Sequence, residues 1–197
     1  MADIKIFTEG PGDVKFIKDY IRELYEIDLP DKSFDILNSW SGYKRGGGIY
    51  PLITESYNEG KQIVLILDAD NDFLKRQTEV LGDFQEYNVP IHLFLFPNNI
   101  STGNIENLLT EIASERVLID CFSKYEECVK DYNLPLDKSR IYSYLDALLP
   151  KEDKIAKKND LRVESFRNFR KPEHWNLYHE YLQPFHDFLA PFFTETK

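Results

Sequence analysis

Long hydrophobic runs are missing from this 197-residue chain. No apolar stretch approaches the ~18–20 residues needed to span a bilayer, so a membrane-spanning helix is not expected. The first ten residues, MADIKIFTEG, lack a basic region followed by an apolar one, so they do not read as a signal peptide, and a cytoplasmic location is expected. Cysteine is scarce too. Cys121 and Cys128 stand seven apart in a helix-like segment, about two turns on one face, too far for a disulfide within that helix. They are expected to be buried, used as small apolar side chains. Four histidines, none in a C-x-x-C or H-x-x-x-H setting, argue against a zinc site. The Gly-rich loop around GGGIY lacks the Gly-Lys-Ser/Thr of a Walker A loop, which excludes that kind of nucleotide site.

Positive charge is also in deficit. The formal net charge is −10, which argues against a general nucleic-acid coat protein but leaves room for a nuclease with a local binding surface. The stretch 151–171 holds eight Lys/Arg against four Asp/Glu, leaving about −14 on the rest of the chain. That asymmetry points weakly to a phosphate-bearing partner and equally to a solvated connector. Aromatic residues are plentiful, with 14 Phe and 12 Tyr, and predict an aromatic-rich core.

The most informative stretch is Gln62–Asp72, QIVLILDADND. Ile63–Leu67 is an unbroken apolar run, the pattern of a strand buried on both faces in a parallel sheet. Asp68, Asp70 and Asp72 then lie just past its carboxyl end, the edge where open α/β sheets bind ligands. Clustered carboxylates repel one another, and a hard divalent cation, Mg²⁺ or Mn²⁺, is the usual compensation.

Around this strand the pattern alternates. Strands are predicted at 3–8, 33–38, 63–67 and 91–96. Helices are predicted between them, from Asp13 as N-cap, over 49–59 and over 73–87, the last capped by Asp72. Strand and helix alternating in this way define an α/β parallel sheet with helices on its faces. Right-handed crossovers with one reversal give strand order 2-1-3-4, and its switch point lies between strands one and three. Those strands deliver Glu9 and Asp68/Asp70 to one crevice. The loop 39–48 ends strand two on the same edge and offers Lys44 and Arg45 to a phosphate. A further helix starts near Asn104, with Glu106 in Gly103-Asn104-Ile105-Glu106.

The remainder reads as helical. Val117, Cys121, Tyr125, Cys128 and Tyr132 share one face of 114–132, and 139–149 forms another helix. His174, Tyr178, Tyr181, Phe185 and Phe188 follow a helical period over 173–190, where Pro184 should kink or divide the helix. That segment could pack on the sheet or form an oligomer interface. Trp40, Trp175 and the three histidines 174, 179 and 186 read as packing residues. The division expected is an α/β unit over 1–113 and a helical C-terminal part over 114–197, packed as one compact unit.

Three acidic motifs in this order, Glu9-Gly10-Pro11-Gly12-Asp13, Asp68-Ala69-Asp70 and Gly103-Asn104-Ile105-Glu106, resemble the toprim domain. That Rossmann-like, metal-binding α/β module occurs in topoisomerases, primases, OLD-type nucleases and ribosomal-RNA maturases. The closest likeness within it is to short bacterial toprim-like proteins of unassigned function, and it covers residues 3–113 well and the rest loosely. The resemblance implies that Asp68 and Asp70 bind Mg²⁺ or Mn²⁺, that Glu9 is a metal ligand or the general acid/base, and that Asp13 and Glu106 help hold a second metal. The two roles of Glu9 compete, because a metal opposes the raised pKa a general acid needs. A domain carrying a nucleophilic Tyr, as topoisomerases need, has no room here. The expected activity is cleavage of phosphodiester bonds in DNA or RNA. Two alternatives stand beside it: a non-catalytic metal- or nucleic-acid-binding module acting with a partner protein or as a homo-oligomer, and a D-x-D enzyme of phosphate esters or sugar nucleotides.

Overall fold

The computed structural model describes residues 3–37, 41–132, 134, 136–149, 163–164 and 167–194. Trp40 and the basic residues of 151–162 lie outside the described residues. The elements run β1 (Ile4–Thr8), α1 (Pro11–Tyr25), β2 (Phe34–Ile36), α2 (Tyr50–Asn58), β3 (Gln62–Asp68), α3 (Phe73–Tyr87), β4 (Ile91–Phe96), α4 (Ile105–Glu111), α5 (Arg116–Val129), α6 (Leu136–Leu148) and α7 (Gln183–Phe193). The four strands form one parallel sheet in the order β2-β1-β3-β4.

The alternation of side chains along each strand makes two cores. Ile4, Ile6, Val64, Ile66, Phe94 and Phe96 face one side and pack with α1, α4, α6 and α7. Phe7, Ile63, Leu65, Leu67 and Leu95 face the other and pack with Ile53 of α2 and with Val80 and Phe84 of α3. β3 therefore meets helices on both faces, and every residue from Ile63 to Leu67 is at most 1% exposed. Full burial of each such side chain contributes roughly 1.5–3 kcal/mol, which explains why the run carries no polar residue.

α7 lies on the sheet. The Phe185 ring meets those of Phe16, Tyr20, Phe94 and Phe96 at centroid distances of 6.0, 5.1, 4.9 and 5.7 Å. The helix expected over 173–190 is shorter than its periodicity suggests. Pro184 sits in the first turn of α7, where a missing N–H costs nothing, so it starts the helix instead of kinking it. Trp175 is buried and packs on Tyr144 and Phe169, at 5.3 and 5.8 Å. The His186 ring stacks on Tyr25, and His179 Nδ1 accepts from the Tyr181 N–H.

The cysteines correct the sequence reading. Both are exposed, as are Val117 (62%) and Tyr125 (48%), and Ile119 is the buried residue of α5. α5 is fixed to α6 partly by Arg140 donating to Glu126, which turns the face carrying Val117, Cys121 and Cys128 outward. Periodicity identifies residues that share a face, but it does not say which way that face points.

Candidate metal centre

The sheet order brings the ends of β1 and β3 side by side. Glu9 follows β1 directly, and its Oε1 accepts from the Asp68 backbone N–H (3.2 Å) and from the Arg76 guanidinium (3.0 Å). Arg76 also donates through Nε to the Asp68 carbonyl at 3.4 Å. It stands one turn past Asp72, which caps α3 by accepting from the Lys75 N–H at 3.0 Å.

α1 begins three residues earlier than Asp13 as N-cap would place it. Gly10 is its N-cap and Pro11 opens the helix, so Asp13 sits three residues in and is not the cap. Its Oδ2 accepts from the Gly10 N–H at 2.9 Å. That bond turns Asp13 back toward the sheet edge, where it is 8% exposed.

α4 closes the other side. Asn104 caps it, and Asp68 Oδ1 accepts from the Ile105 N–H at 3.0 Å. A two-way backbone bridge holds the preceding loop over β3: Asp70 N donates to Gly103 O (2.8 Å) and Gly103 N to Asp70 O (2.7 Å). Asp70 adopts a left-handed φ of 54° and Gly103 one of 128°. A Cβ on Gly103 would lie 2.5 Å from Asn107 Oδ1, the atom that accepts from the Asn104 N–H. Gly103→Ala is therefore expected to cost about 1–3 kcal/mol through backbone strain and overpacking. A lower urea midpoint at unchanged m-value is the check.

Glu106 lies in the first turn of α4 and is 5% exposed. Lys138 of α6 approaches it, with Nζ 3.8 Å from Glu106 Oε1 and 3.2 Å from Glu164 Oε1.

Glu9, Asp13, Asp68 and Glu106 thus share one partly dry site. Burial raises the pKa of all four. Asp68 is pushed up to about 9 by burial and then by the charges of Asp13, Glu9 and Glu106. Asp13 is pushed up to about 7 by burial, with Glu9, Glu106 and Glu164 adding to it against the Gly10 N–H. Glu9 is raised by burial although Arg76 and the Asp68 N–H oppose the shift, and Glu106 by burial although Lys138 opposes it. Among the described residues no group of three His, Cys, Asp or Glu is arranged as a ready metal-ligand set. Oxygens of Glu9, Asp13 and Asp68 are turned onto N–H donors.

Asp70 stands at the rim of the four, near enough to Glu9 for its charge to add to that group's raised pKa. It is exposed and lines a shallow cavity of about 230 Å³ with Asn71, Asp72, Lys75 and Arg76. Lys44 and Arg45 are farther away. Lys44 pairs with Asp83 (3.7 Å), and Arg45 pairs with Glu86 (3.5 Å) and lies over the Tyr87 ring (5.1 Å). Those partners lie seven and ten residues beyond Arg76, roughly 10 and 15 Å along α3. The cause is Tyr43, which is fully buried and stacks on Phe84, drawing its loop down the outer face of α3. The expected phosphate grip by Lys44 and Arg45 is thus not placed at the acidic edge.

Among the described residues, Arg76, Lys138 and Arg167 are cations beside the four acids, and Glu164 is a further acid there. The sequence singled out none of the four as a site residue, although Glu164 and Arg167 fall in the basic stretch 151–171. Arg76 carried a signal, since a residue one turn past the α3 cap faces back over the strand end. Lys138, Glu164 and Arg167 reach the site only through the packing of the C-terminal part.

Fold and edge together define a doubly wound α/β protein whose switch point is lined by buried and half-buried carboxylates. Residues 3–194 match the family described as "Protein of unknown function (DUF3226)", and the chain belongs to that family. No curated protein and no solved structure matches it.

Proposed function

We propose that this chain is a Mg²⁺- or Mn²⁺-dependent phosphoryl-transfer protein of toprim type, and specifically a nuclease acting on phosphodiester bonds of DNA or RNA. The observation that carries the reading is the meeting of Glu9, Asp13, Asp68 and Glu106 at the switch point, where burial raises every one of their pKa values and neighbouring carboxylates add to the rise. Four oxygen-donor side chains needing positive charge suit a hard divalent cation. Asp68, Asp13 and Glu106, with Asp70 at the rim, would hold it. A bound divalent ion would polarise a phosphodiester and lower the pKa of water.

The chain's own residues supply the rest. Arg76 orients Glu9 and ties the ends of β1 and β3 together. Glu9, raised by burial, is suited to carry a proton to or from a reacting oxygen. The Ile105 N–H fixes Asp68 at the mouth of α4.

One observation favours a second reading, a non-catalytic module acting with a partner. Glu9 is ion-paired to Arg76 and Glu106 stands by Lys138, so the protein compensates part of its own negative charge. Calorimetric titration with Mn²⁺ and Mg²⁺ separates the two, run on wild type and on Asp68→Ala/Asp70→Ala, alongside cleavage of labelled DNA and RNA. The nuclease reading expects metal binding and cleavage, both lost in the double variant. Binding without cleavage selects the module, and no binding at millimolar ion overturns the metal site.

A further inference from the structure

We propose that Lys138 is a displaceable counter-ion of the site: its ammonium supplies part of the charge compensation that a divalent cation takes over, so the two compete for the same acids. The inference rests on the metal reading above and adds a residue from outside the three acidic motifs. Lys138 Nζ lies between two carboxylates of different origin, 3.8 Å from Glu106 on α4 and 3.2 Å from Glu164 in the C-terminal part. The Glu106 side chain is 6% exposed, so a charge beside it is poorly screened, whereas Lys138 is 61% exposed and has a solvent route out.

Gly12 shows that this placement is built into the fold. A Cβ at Gly12 would lie 2.9 Å from both Cβ and Oε2 of Glu164, so the first turn of α1 receives Glu164 only because residue 12 lacks a side chain. Behind it, buried Arg167 lies 5.3 Å over the Tyr142 ring and its N–H donates to the Glu164 carbonyl at 3.2 Å, fixing the segment that presents Glu164. Glu164 in turn holds Lys138 against Glu106. The C-terminal part thereby delivers an exposed cation to the one buried acid of α4. A divalent ion adding charge at Asp68, Asp13 and Glu106 then meets an ammonium already spent on Glu106, and its binding must push Lys138 outward.

The test is a calorimetric Mn²⁺ titration of the full chain as wild type, Lys138→Met and Lys138→Arg, with melting temperatures in chelator and in saturating Mn²⁺. Removing one more-than-half-exposed competing charge is expected to tighten Mn²⁺ by roughly five- to tenfold in Lys138→Met. Lys138→Arg, which keeps the charge, stays within about twofold of wild type on the same argument. In chelator Lys138→Met melts below wild type, because Glu106 has lost its counter-ion, and saturating Mn²⁺ closes that gap. Equal or weaker Mn²⁺ affinity in Lys138→Met, with wild type binding normally, overturns the counter-ion role and leaves the metal reading standing. No Mn²⁺ binding in any of the three removes the metal reading and this inference with it.

Discussion

Asp68→Asn is expected to abolish metal-dependent cleavage while flattening the pH dependence of stability in the metal-free protein. An unfolded Asp titrates near 4, and folded Asp68 is pushed up to about 9 by burial and by its acidic neighbours. Between those values the folded protein holds a proton that the unfolded chain has released. The stabilisation is complete below pH ~4 and is lost progressively as pH rises toward ~9. Metal-free wild type should therefore melt at falling temperature from pH 6 to pH 8.5. Each pH unit is worth at most ~1.4 kcal/mol for one group, and each kcal/mol about 2–4 °C in a chain of this size. Asp13, pushed up to about 7, contributes the same sense of slope at the lower end of that range. Asn at position 68 keeps an oxygen to accept from Ile105 N–H and carries no titrating proton, so the variant loses Asp68's share of the slope. The same change removes a ligand charge. A catalytic metal contributes several kcal/mol to the transition state, so cleavage should fall by about 10³-fold or more. Added Mn²⁺ should restore wild-type melting at pH 8.5 and leave Asp68→Asn unmoved. An Asn variant that still cleaves, or that keeps the wild-type slope, would remove Asp68 from the centre of the site.

That Asp68 could be singled out from the sequence follows from how local its signals are. The run Ile63–Leu67 reads as a doubly buried strand because apolar residues fill both faces, and β3 spans that run and one residue beyond it at each end, Gln62–Asp68. The spans of α3 and β4, Phe73–Tyr87 and Ile91–Phe96, coincide with the expected 73–87 and 91–96. Strand order 2-1-3-4 needed only the alternation and the handedness of crossovers. Order then placed Glu9 beside Asp68, and the resemblance to the toprim motifs added Asp13 and Glu106. The compensating charge was not legible. Lys44 and Arg45 stood out because they are adjacent cations in a glycine-rich loop, yet Tyr43 takes that loop to Phe84. Lys138 and Glu164 lie in sequence far from every acidic motif, and only the packing of α6 and the C-terminal part against α1 and α4 makes them neighbours. Acids on a sheet edge are written in short motifs, whereas their counter-ions come from whichever helix happens to pass.

Arg76 is the counter-ion whose loss should cost the most. Its side chain is 6% exposed and that of Glu9 21%, so Arg76→Met would leave a carboxylate in a mostly dry setting with the Asp68 N–H and the neighbouring acids. Breaking a buried pair from one side typically costs ~3–5 kcal/mol, on the order of 10 °C in melting temperature for a chain this long. Met fills much of the Arg stem's volume, so the loss is electrostatic more than a cavity effect. Two further measurements separate that cause from simple misfolding. Adding Glu9→Gln should recover most of the deficit, because the unpaired charge is gone, and the double-mutant cycle then reports the coupling. Lowering the pH from 7.5 to 5 should shrink the single variant's deficit. Burial already raises the pKa of Glu9 with Arg76 present; without Arg76 the group protonates more readily and the buried charge disappears. Arg76→Lys would keep the charge but could not donate to Glu9 and to the Asp68 carbonyl in the same fork, so it should rescue stability only in part. A Met variant as stable as wild type at pH 7.5 would mean that Glu9 is held neutral by its surroundings alone, and the tie between the ends of β1 and β3 would have to be sought in the backbone.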